Sequence, residues 1–224
     1  MAKMRRKRAI TKWVLFTIAL IIVAVELFPI FIIISSGFKK DLDIRNTNPF
    51  SFNPNLTSYK RVLGKSDFLP SIKNSLIVGL SSTAISLLVG AMASYGISRF
   101  RFKGRKVVSY SFLISRMVPQ IALAVPLFML FDSLAMTDSY ISLILAYTSF
   151  NIPYVIWLLL PFFSSISYSF EEAARVDGCS RIQIFWKIFL PLTAPGLMVA
   201  AIFAFIMSWN EFIYALVLTG TSTK

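Results

Sequence analysis

Long runs of apolar residues dominate the hydrophobic pattern of this chain. A run of about 18 or more apolar residues is long enough for an α-helix to cross the hydrocarbon core of a bilayer. The pattern predicts such spans at residues 13–36, 76–97, 107–131, 140–163 and 192–218. The predicted fold class is therefore an all-α polytopic membrane protein with five spans.

Composition supports a membrane protein and excludes several other classes. Charged residues make up 15% of the 224 residues, whereas soluble domains carry about 25%. The chain has no histidine and one cysteine, Cys179, so an internal disulfide and any histidine-based metal site, catalytic triad or proton relay are excluded. We expect no catalytic residue, no metal and no cofactor. The net charge of +13 does not indicate a nucleic-acid partner, because the spans leave no soluble region to form a binding face.

The placement of positive charge predicts the orientation in the membrane. Lysine and arginine are concentrated in residues 1–12 and 99–106, while the loop at 132–139 has only Asp132 and Asp138 as charged residues. Because cytoplasmic loops are enriched in lysine and arginine, the N-terminus, the 99–106 loop and the connection at 164–190 are predicted to be cytoplasmic. The first apolar run is too long for a signal peptide and no small-x-small cleavage site follows it, so we expect an uncleaved span.

Small residues recur along one face of the second predicted span. They are Ser82, Ser86, Gly90, Ser94 and Ser98. Membrane helices pack closely through stripes of this kind. This span is therefore predicted to lie inside a helix bundle.

The connection at residues 164–190, here called the interspan segment, is more structured than a simple turn. Ser169-x-x-Glu172 and Ser180-x-x-Gln183 have the spacing of capping boxes, and Gly178 suits the left-handed residue that ends a helix. These signals predict a short helix, a tight turn and a second helix. The second helix would carry an apolar stripe of Ile182, Phe185, Trp186 and Phe189.

Two interpretations of the interspan segment follow from these residues. The segment could simply lie on the membrane surface as an amphipathic hairpin. The small pair Ala173-Ala174 on an exposed first helix favours the other interpretation, a docking surface that a partner protein can approach closely.

The interspan segment also resembles a known motif. Glu172-Ala173-Ala174, three residues, Gly178, nine residues and then Ile188-x-Leu190-Pro191 is similar to the Glu-Ala-Ala motif of ATP-binding-cassette (ABC) importer permeases. Cys179 stands where the family more often has alanine. Further stretches resemble the carbohydrate-uptake branch, in the subunit similar to the second permease of the maltose system: residues 93–104, 117–120, 150–153 and 208–212.

This resemblance implies a type I ABC importer transmembrane domain at residues 13–224, behind a basic cytoplasmic N-terminus at residues 1–12. The first loop helix would insert into a cytoplasmic ATPase dimer through Glu172, Ala173, Ala174, Asp177 and Gly178. Other implied partners are a second permease subunit, an extracytoplasmic solute-binding protein, a carbohydrate substrate and the lipid bilayer. The chain has no phosphate-binding loop motif of its own. The implied location is the plasma or inner membrane of a bacterium or archaeon.

Polar residues within the predicted spans are functional candidates by default. Glu26 is one such residue, and those singled out for a substrate path or gate are Arg116, Gln120, Asn151, Asn210 and Glu211. Amide, carboxylate and aromatic groups suit a sugar, whose hydroxyls donate and accept hydrogen bonds and whose ring faces are apolar. We predict a substrate path or gate here. For Arg116 the alternatives are satisfaction by carbonyls freed at Pro119 or by an acid on a partner helix.

Two other functions and one departure from the family remain at this stage. The chain could be an ABC permease for a non-sugar solute, such as glycerol phosphate or an amino acid, or a membrane assembly factor that does not transport. An intramembrane enzyme is disfavoured. The family usually has six spans, so five predicted spans suggest truncation before a sixth helix.

Overall fold

The computed structural model describes residues 2–40 and 54–220. All the regular elements in these ranges are helical, as the apolar runs predict. The chain divides into two compact units, Met1–Leu69 and Pro70–Lys224.

The first unit contains a long helix and a short one. Helix α1 covers Ala2–Gly37 and α2 covers Thr57–Leu63. The rings of Phe38 and Tyr59 lie 5.2 Å apart. Residues 41–53, between the two helices, lie outside the described residues.

The second unit holds the other helices, the first of which begins two residues before the boundary between the units. Its elements are α3 (Phe68–Arg99), α4 (Arg105–Ser115), α5 (Gln120–Ser133), α6 (Tyr140–Ser165), α7 (Tyr168–Val176), α8 (Arg181–Ile184), a π-helical turn (Phe185–Phe189), α9 (Leu190–Leu192), α10 (Ala194–Trp209) and α11 (Ile213–Leu218).

Three helices in the described residues are unbroken and apolar enough to cross a membrane: Thr11–Gly37, Phe68–Arg99 and Tyr140–Ser165. Two bent pairs bring the number to five if each pair is one span. Counted in that way, the number of spans equals the five predicted from the sequence, but two of the predicted spans are not single helices.

The predicted span at 107–131 is broken. Helices α4 and α5 meet at an angle of 92° across residues 116–119. Pro119 is the residue before α5 and has an extended backbone (φ −61°, ψ 132°). Since proline lacks an N–H donor and restricts its predecessor, the helix ends here and a new one begins.

The predicted span at 192–218 also differs from the structure. Helix α10 stops at Trp209, and residues 210–212 separate it from α11. At its other end α10 meets the helical stretch Arg181–Leu192 at 78°. Asn210 and Glu211 lie at the break before α11, and Pro191 and Pro195 lie around the break before α10. The average hydrophobicity of the stretch is nevertheless high, so it did not reveal either break.

The stripe of small residues on α3 is buried as predicted. Ser82, Ser86 and Ser94 have no exposed surface. A Cβ on Gly90 would lie 2.5 Å from Cγ1 of Val155 on α6, so glycine allows α3 and α6 to approach closely. The stripe is thus the seam along which α3 packs inside the bundle.

Two buried apolar clusters hold the second unit together. One joins Tyr95 of α3 and Phe163 of α6 to the interspan segment, and the other joins Val78 of α3 and Leu143 of α6 to α5 and α11. Because α3 and α6 contribute to both clusters, they connect the interspan segment with the opposite end of the bundle.

Candidate functional site

Helix α7 begins two residues earlier than the predicted capping box requires. Its N-cap is Ser167, whose backbone is extended (φ −60°, ψ 144°) and whose Oγ accepts from the N–H of Ser169 at 3.3 Å. The proposed Ser169–Glu172 box is therefore wrong. Ser167 can act as the N-cap of α7 because α6 has already ended at Ser165 and the chain is extended at Ile166.

The two faces of α7 differ sharply in exposure. Glu172, Ala173 and Asp177 are exposed, whereas Glu171 and Ala174 are only 6% and 4% exposed. The predicted exposed alanine pair is therefore split, with Ala173 outward and Ala174 packed in the core. A buried Glu171 was not expected from the sequence; its Oε1 pairs with Arg175 one turn later.

The turn after α7 has the conformation that glycine was predicted to supply. Gly178 has φ +80°, in the left-handed region that favours glycine. Its N–H donates to the carbonyl of Arg175 at 3.0 Å, and the N–H of Cys179 donates to that of Ala174 at 2.9 Å. These bonds satisfy carbonyls at the end of α7 and fix the direction of the chain.

The second half of the interspan segment confirms one prediction and corrects another. Ser180 and Gln183 form the predicted capping box. The apolar stripe is wrong in part: Phe185 and Phe189 are buried, but Ile182 and Trp186 are 72% and 48% exposed. Trp186 lies within the π-helical turn, which adds a residue and brings positions five apart onto one face, whereas Ile182 lies in α8 before that turn. Ile184 and Phe189 are accordingly both fully buried.

A groove of about 480 Å³ lies beside the outer face of α7. Its walls include Phe170, Ala173 and Asp177 from α7 and its C-cap, and Lys187 and Ile188 from the π-helical turn. The outer face and this groove together offer apolar surface and charges of both signs to a partner.

Arg99 is the residue at this site that sequence analysis missed. It had been grouped with the charged loop at 99–106, but it is the last residue of α3 and only 7% exposed. Its Nη2 donates to the carbonyls of Phe163 and Ile166. The sequence signal was its place at the end of the serine stripe, one residue after Ser98.

The predicted membrane residues lie in different surroundings. Arg116 follows α4, and its Cζ lies 4.5 Å from the ring centroid of Tyr154. Its Nη2 is 3.8 Å from Sδ of Met207. The cation therefore lies on an aromatic face, an alternative that was not among those considered from the sequence.

Asn151 is fully buried in the packing of three helices. Its Nδ2 donates to Oγ of Ser208 at 2.8 Å, and that hydroxyl lies 3.1 Å from Oγ of Ser82. The Oδ1 atom of Asn151 is buried without a hydrogen-bond partner. Its position connects α3, α6 and α10.

Glu211 caps α11. Its carboxylate accepts from the N–H of Tyr214 at 3.0 Å and from that of Ala215 at 3.3 Å. Asn210, the C-cap of α10, and Gln120, the first residue of α5, are exposed.

A cavity of about 430 Å³ lies at this end of the bundle. Trp209 and Glu211 line it, together with Asn74 and Tyr147, but the other four predicted path residues do not. The structure thus does not bring the five candidates together in one site. In the described part of the chain, no group of three or more His, Cys, Asp or Glu residues could hold a metal ion.

Comparison with known proteins identifies the family. Residues 84–223 match the family described as binding-protein-dependent transport system inner membrane component. The chain belongs to this family of transport permeases. The match includes all of the interspan segment, so α7 and its groove are part of the family region.

Individual relatives agree with this assignment. The permease is 36% identical to a probable ABC transporter permease of Sinorhizobium fredii, over 92% of its own length and 74% of the relative. It is 34% identical to a trehalose transport system permease of Mycobacterium tuberculosis, over 90% and 73%. It is 33% identical to a trehalose/maltose transport system permease of Thermococcus litoralis, over 95% and 78%.

A solved structure shares the fold. The permease superposes on a chain of a bacterial ABC transporter involved in the import of the polysaccharide alginate with a TM-score of 0.79 and 27% identity, covering 97% of this chain and 77% of that one. The permease is thus a multi-pass membrane component with the ABC importer transmembrane fold. It is a transport subunit rather than an enzyme, as the sequence predicted.

Proposed function

We propose that this permease is a subunit of an ATP-driven carbohydrate importer and couples to a cytoplasmic ATPase dimer through α7. A second permease subunit would complete the translocation path, and an extracytoplasmic solute-binding protein would deliver the sugar. The N-terminus and the interspan segment would face the cytoplasm, because both basic clusters of the sequence would then lie on that side.

The observation that carries the coupling role is the division of α7 into two faces. Ala174 and Glu171 face the core, so the helix is held against the bundle, while Glu172, Ala173 and Asp177 are exposed together. A helix that is firmly packed on one side and exposes a small residue between two carboxylates on the other suits insertion into a cleft. The adjacent groove provides further contact area.

Carbohydrate as the cargo is supported by the names of relatives. Two of them are named as permeases for trehalose or for trehalose and maltose, and a third as one for diacetylchitobiose. Within the cavity at the other end of the bundle, the indole of Trp209 and the amide of Asn74 are groups that suit a sugar. Glu211 would act there mainly by holding α11.

Charge reversal on the outer face tests the coupling role. Glu172→Lys, expressed with its importer partners, should abolish co-purification of the ATPase and sugar uptake, while the amount of permease in the membrane stays unchanged. Glu172→Gln, which keeps the shape of the side chain, should retain part of both activities. Normal uptake by Glu172→Lys would exclude docking through this face.

The alternatives make different predictions. A permease for a non-sugar solute predicts that the partner solute-binding protein binds that solute and not sugars, which calorimetry with the purified binding protein would measure. A membrane assembly factor predicts that uptake does not depend on an ATPase. Co-purification of an ATP-hydrolysing subunit that requires Glu172 would exclude the assembly factor.

A further inference from the structure

The end of α3 is joined to the interspan segment by one buried cation. Nη2 of Arg99 donates to the carbonyl of Phe163 at 2.7 Å and to that of Ile166 at 2.6 Å. These carbonyls belong to the last turn of α6 and to its C-cap, where the intrahelical partners run out. A cation is favoured at this end of a helix by the helix dipole.

The same guanidinium also lies against two aromatic rings. Its Cζ is 4.7 Å from the ring centroid of Tyr168, the first residue of α7, and 4.3 Å from that of Phe189, the last residue of the π-helical turn. Both distances are within the range of a cation–π interaction. Among the described residues no carboxylate forms a salt bridge with Arg99, so carbonyls and ring faces balance its charge.

Two further contacts join the same parts. The hydroxyl of Tyr168 donates to the carbonyl of Ser98 at 3.3 Å. In the opposite direction, Cζ of Arg181, at the start of α8, lies 4.6 Å from the ring centroid of Phe100, which follows α3. Both halves of the interspan segment are therefore attached to the end of α3.

We infer that Arg99 is the positioning residue that transmits displacement of α7 to α3 and α6. This inference rests on the proposed docking of α7 to an ATPase. A force on the outer face of α7 is transmitted to the bundle through the contacts on the inner side of that helix. Arg99 brings α7, the π-helical turn, α6 and α3 together at one point. Helix α3 carries the displacement onward along its buried serine stripe.

The chemistry requires arginine rather than any cation at this position. A planar guanidinium can donate to two carbonyls in its own plane while its faces meet aromatic rings. Lysine is a compact, strongly hydrated charge on a flexible stem, and it has no planar face to lie against the two rings. Arg99→Lys should therefore retain only part of the function of Arg99.

The single cysteine of the chain provides a direct test that needs no ATPase. Cys179 follows the Gly178 turn and is half-buried against the core cluster. If Arg99 holds the interspan segment in place, Arg99→Met should increase the rate of maleimide labelling of Cys179 in membranes containing the full chain alone by roughly 10-fold or more, because charge-assisted hydrogen bonds are lost. Arg99→Lys should give an intermediate increase.

Arg101→Met is the matched control, because it removes the same charge from an exposed neighbour. An unchanged labelling rate in Arg99→Met, or an equal increase in Arg101→Met, would overturn the inference. Neither result would affect the Glu172 tests, so failure of this inference is distinct from failure of the docking proposal.

Milder variants decide the question if Arg99→Met does not reach the membrane. Tyr168→Leu removes the ring beneath the guanidinium, whereas Tyr168→Phe keeps the ring and removes only the hydroxyl. We expect Cys179 to be labelled several-fold faster in Tyr168→Leu and near the wild-type rate in Tyr168→Phe. Equal rates in the two variants would contradict a role for the cation–π contact.

The assembled importer provides a readout that a purely structural role would not produce. Arg99→Met leaves Glu172, Ala173 and Asp177 intact, so the ATPase should still co-purify and hydrolyse ATP. Uptake per ATP hydrolysed should fall by roughly 10-fold or more, by the same loss of contacts. A wild-type ratio of uptake to hydrolysis would show that displacement does not pass through Arg99.

Discussion

Gly178 shows how a single backbone angle constrains the outer face of α7. A Cβ at this position would meet nothing within 4 Å, yet φ is +80°. Any cost of substitution therefore comes from backbone strain, which for a β-branched residue in the left-handed region is about 1–2 kcal/mol or more.

The loss of uptake caused by a substitution at Gly178 should depend on how well the new residue tolerates the left-handed region, and not on the size of its side chain. Gly178→Asn should keep most of the uptake activity, because asparagine tolerates this region, whereas Gly178→Val should lose most of it by shifting the end of α7. Uptake and ATPase co-purification would measure both. Equal losses in the two variants would indicate that side-chain volume, and not φ, is what matters.

Asn151 is better explained by helix packing than by substrate contact. It is fully buried and donates to Ser208. Asn151→Ala should lower the free energy of unfolding by roughly 1 kcal/mol while the KM for sugar uptake stays near the wild-type value. A double-mutant cycle with Ser208→Ala should give a coupling energy of about 0.6 kcal/mol, the average for membrane hydrogen bonds. A large rise in KM without loss of stability would instead support contact between Asn151 and the substrate.

At the scale of the element, the packing around α3 differs between the positions of its glycines. A Cβ on Gly90 would come within 2.5 Å of Val155, whereas one on Gly96 would come no closer than 3.9 Å to Phe100. The two positions are in the same helix, so they differ in packing rather than in helix propensity.

Alanine at these two positions should therefore have opposite effects. Gly90→Ala should lower the melting temperature of the detergent-solubilised permease, because α3 and α6 must separate to admit the methyl group. Gly96→Ala should leave it unchanged or raise it, since alanine is about 1 kcal/mol better than glycine inside a helix. Fluorescence-detected size-exclusion after heating would compare them, and a matching loss in both would contradict close packing at Gly90.

The elements differ in how far the sequence could predict them. The serine stripe of α3 and the Ser180 capping box have fixed spacings, and the structure confirms both. The breaks on either side of α10 and the π-helical turn have no such spacing. Proline or polar residues lie near both breaks, but α6 contains Asn151, Pro153 and Pro161 and is unbroken, so these residue types do not locate a break by themselves. The start of α7 was misplaced because Ser167 and Ser169 both suit an N-cap, and only the end of α6 decides between them.

The candidate site was likewise predictable only in part. The motif spacing pointed to α7, but the inward position of Glu171 and the outward position of Ile182 depend on tertiary packing. Arg99 was interpreted as one more positive charge in a loop because its partners, Phe163, Ile166 and Phe189, are 64 or more residues away in sequence.

At the scale of the whole molecule, orientation in the membrane is the main remaining prediction. Cys179 can report it, because it is the only cysteine in the chain. A membrane-impermeant maleimide should label Cys179 in inside-out vesicles and not in intact cells. Ser133→Cys in a Cys179→Ala background, at an exposed position at the end of α5, should give the reverse pattern. Labelling of Cys179 in intact cells would invert the proposed topology.

The π-helical turn at Phe185–Phe189 has a consequence for angle as well as for burial. Each residue of an α-helix advances the direction by about 100° and the length by about 1.5 Å. A one-residue deletion that converts this turn to regular α-helix, such as removal of the exposed Trp186, would therefore rotate everything before it relative to α10 by roughly that angle. The outer face of α7 would then point toward a different quarter of the molecule with its own residues unchanged. The extra residue of the π-helical turn therefore sets the direction in which the outer face of α7 points.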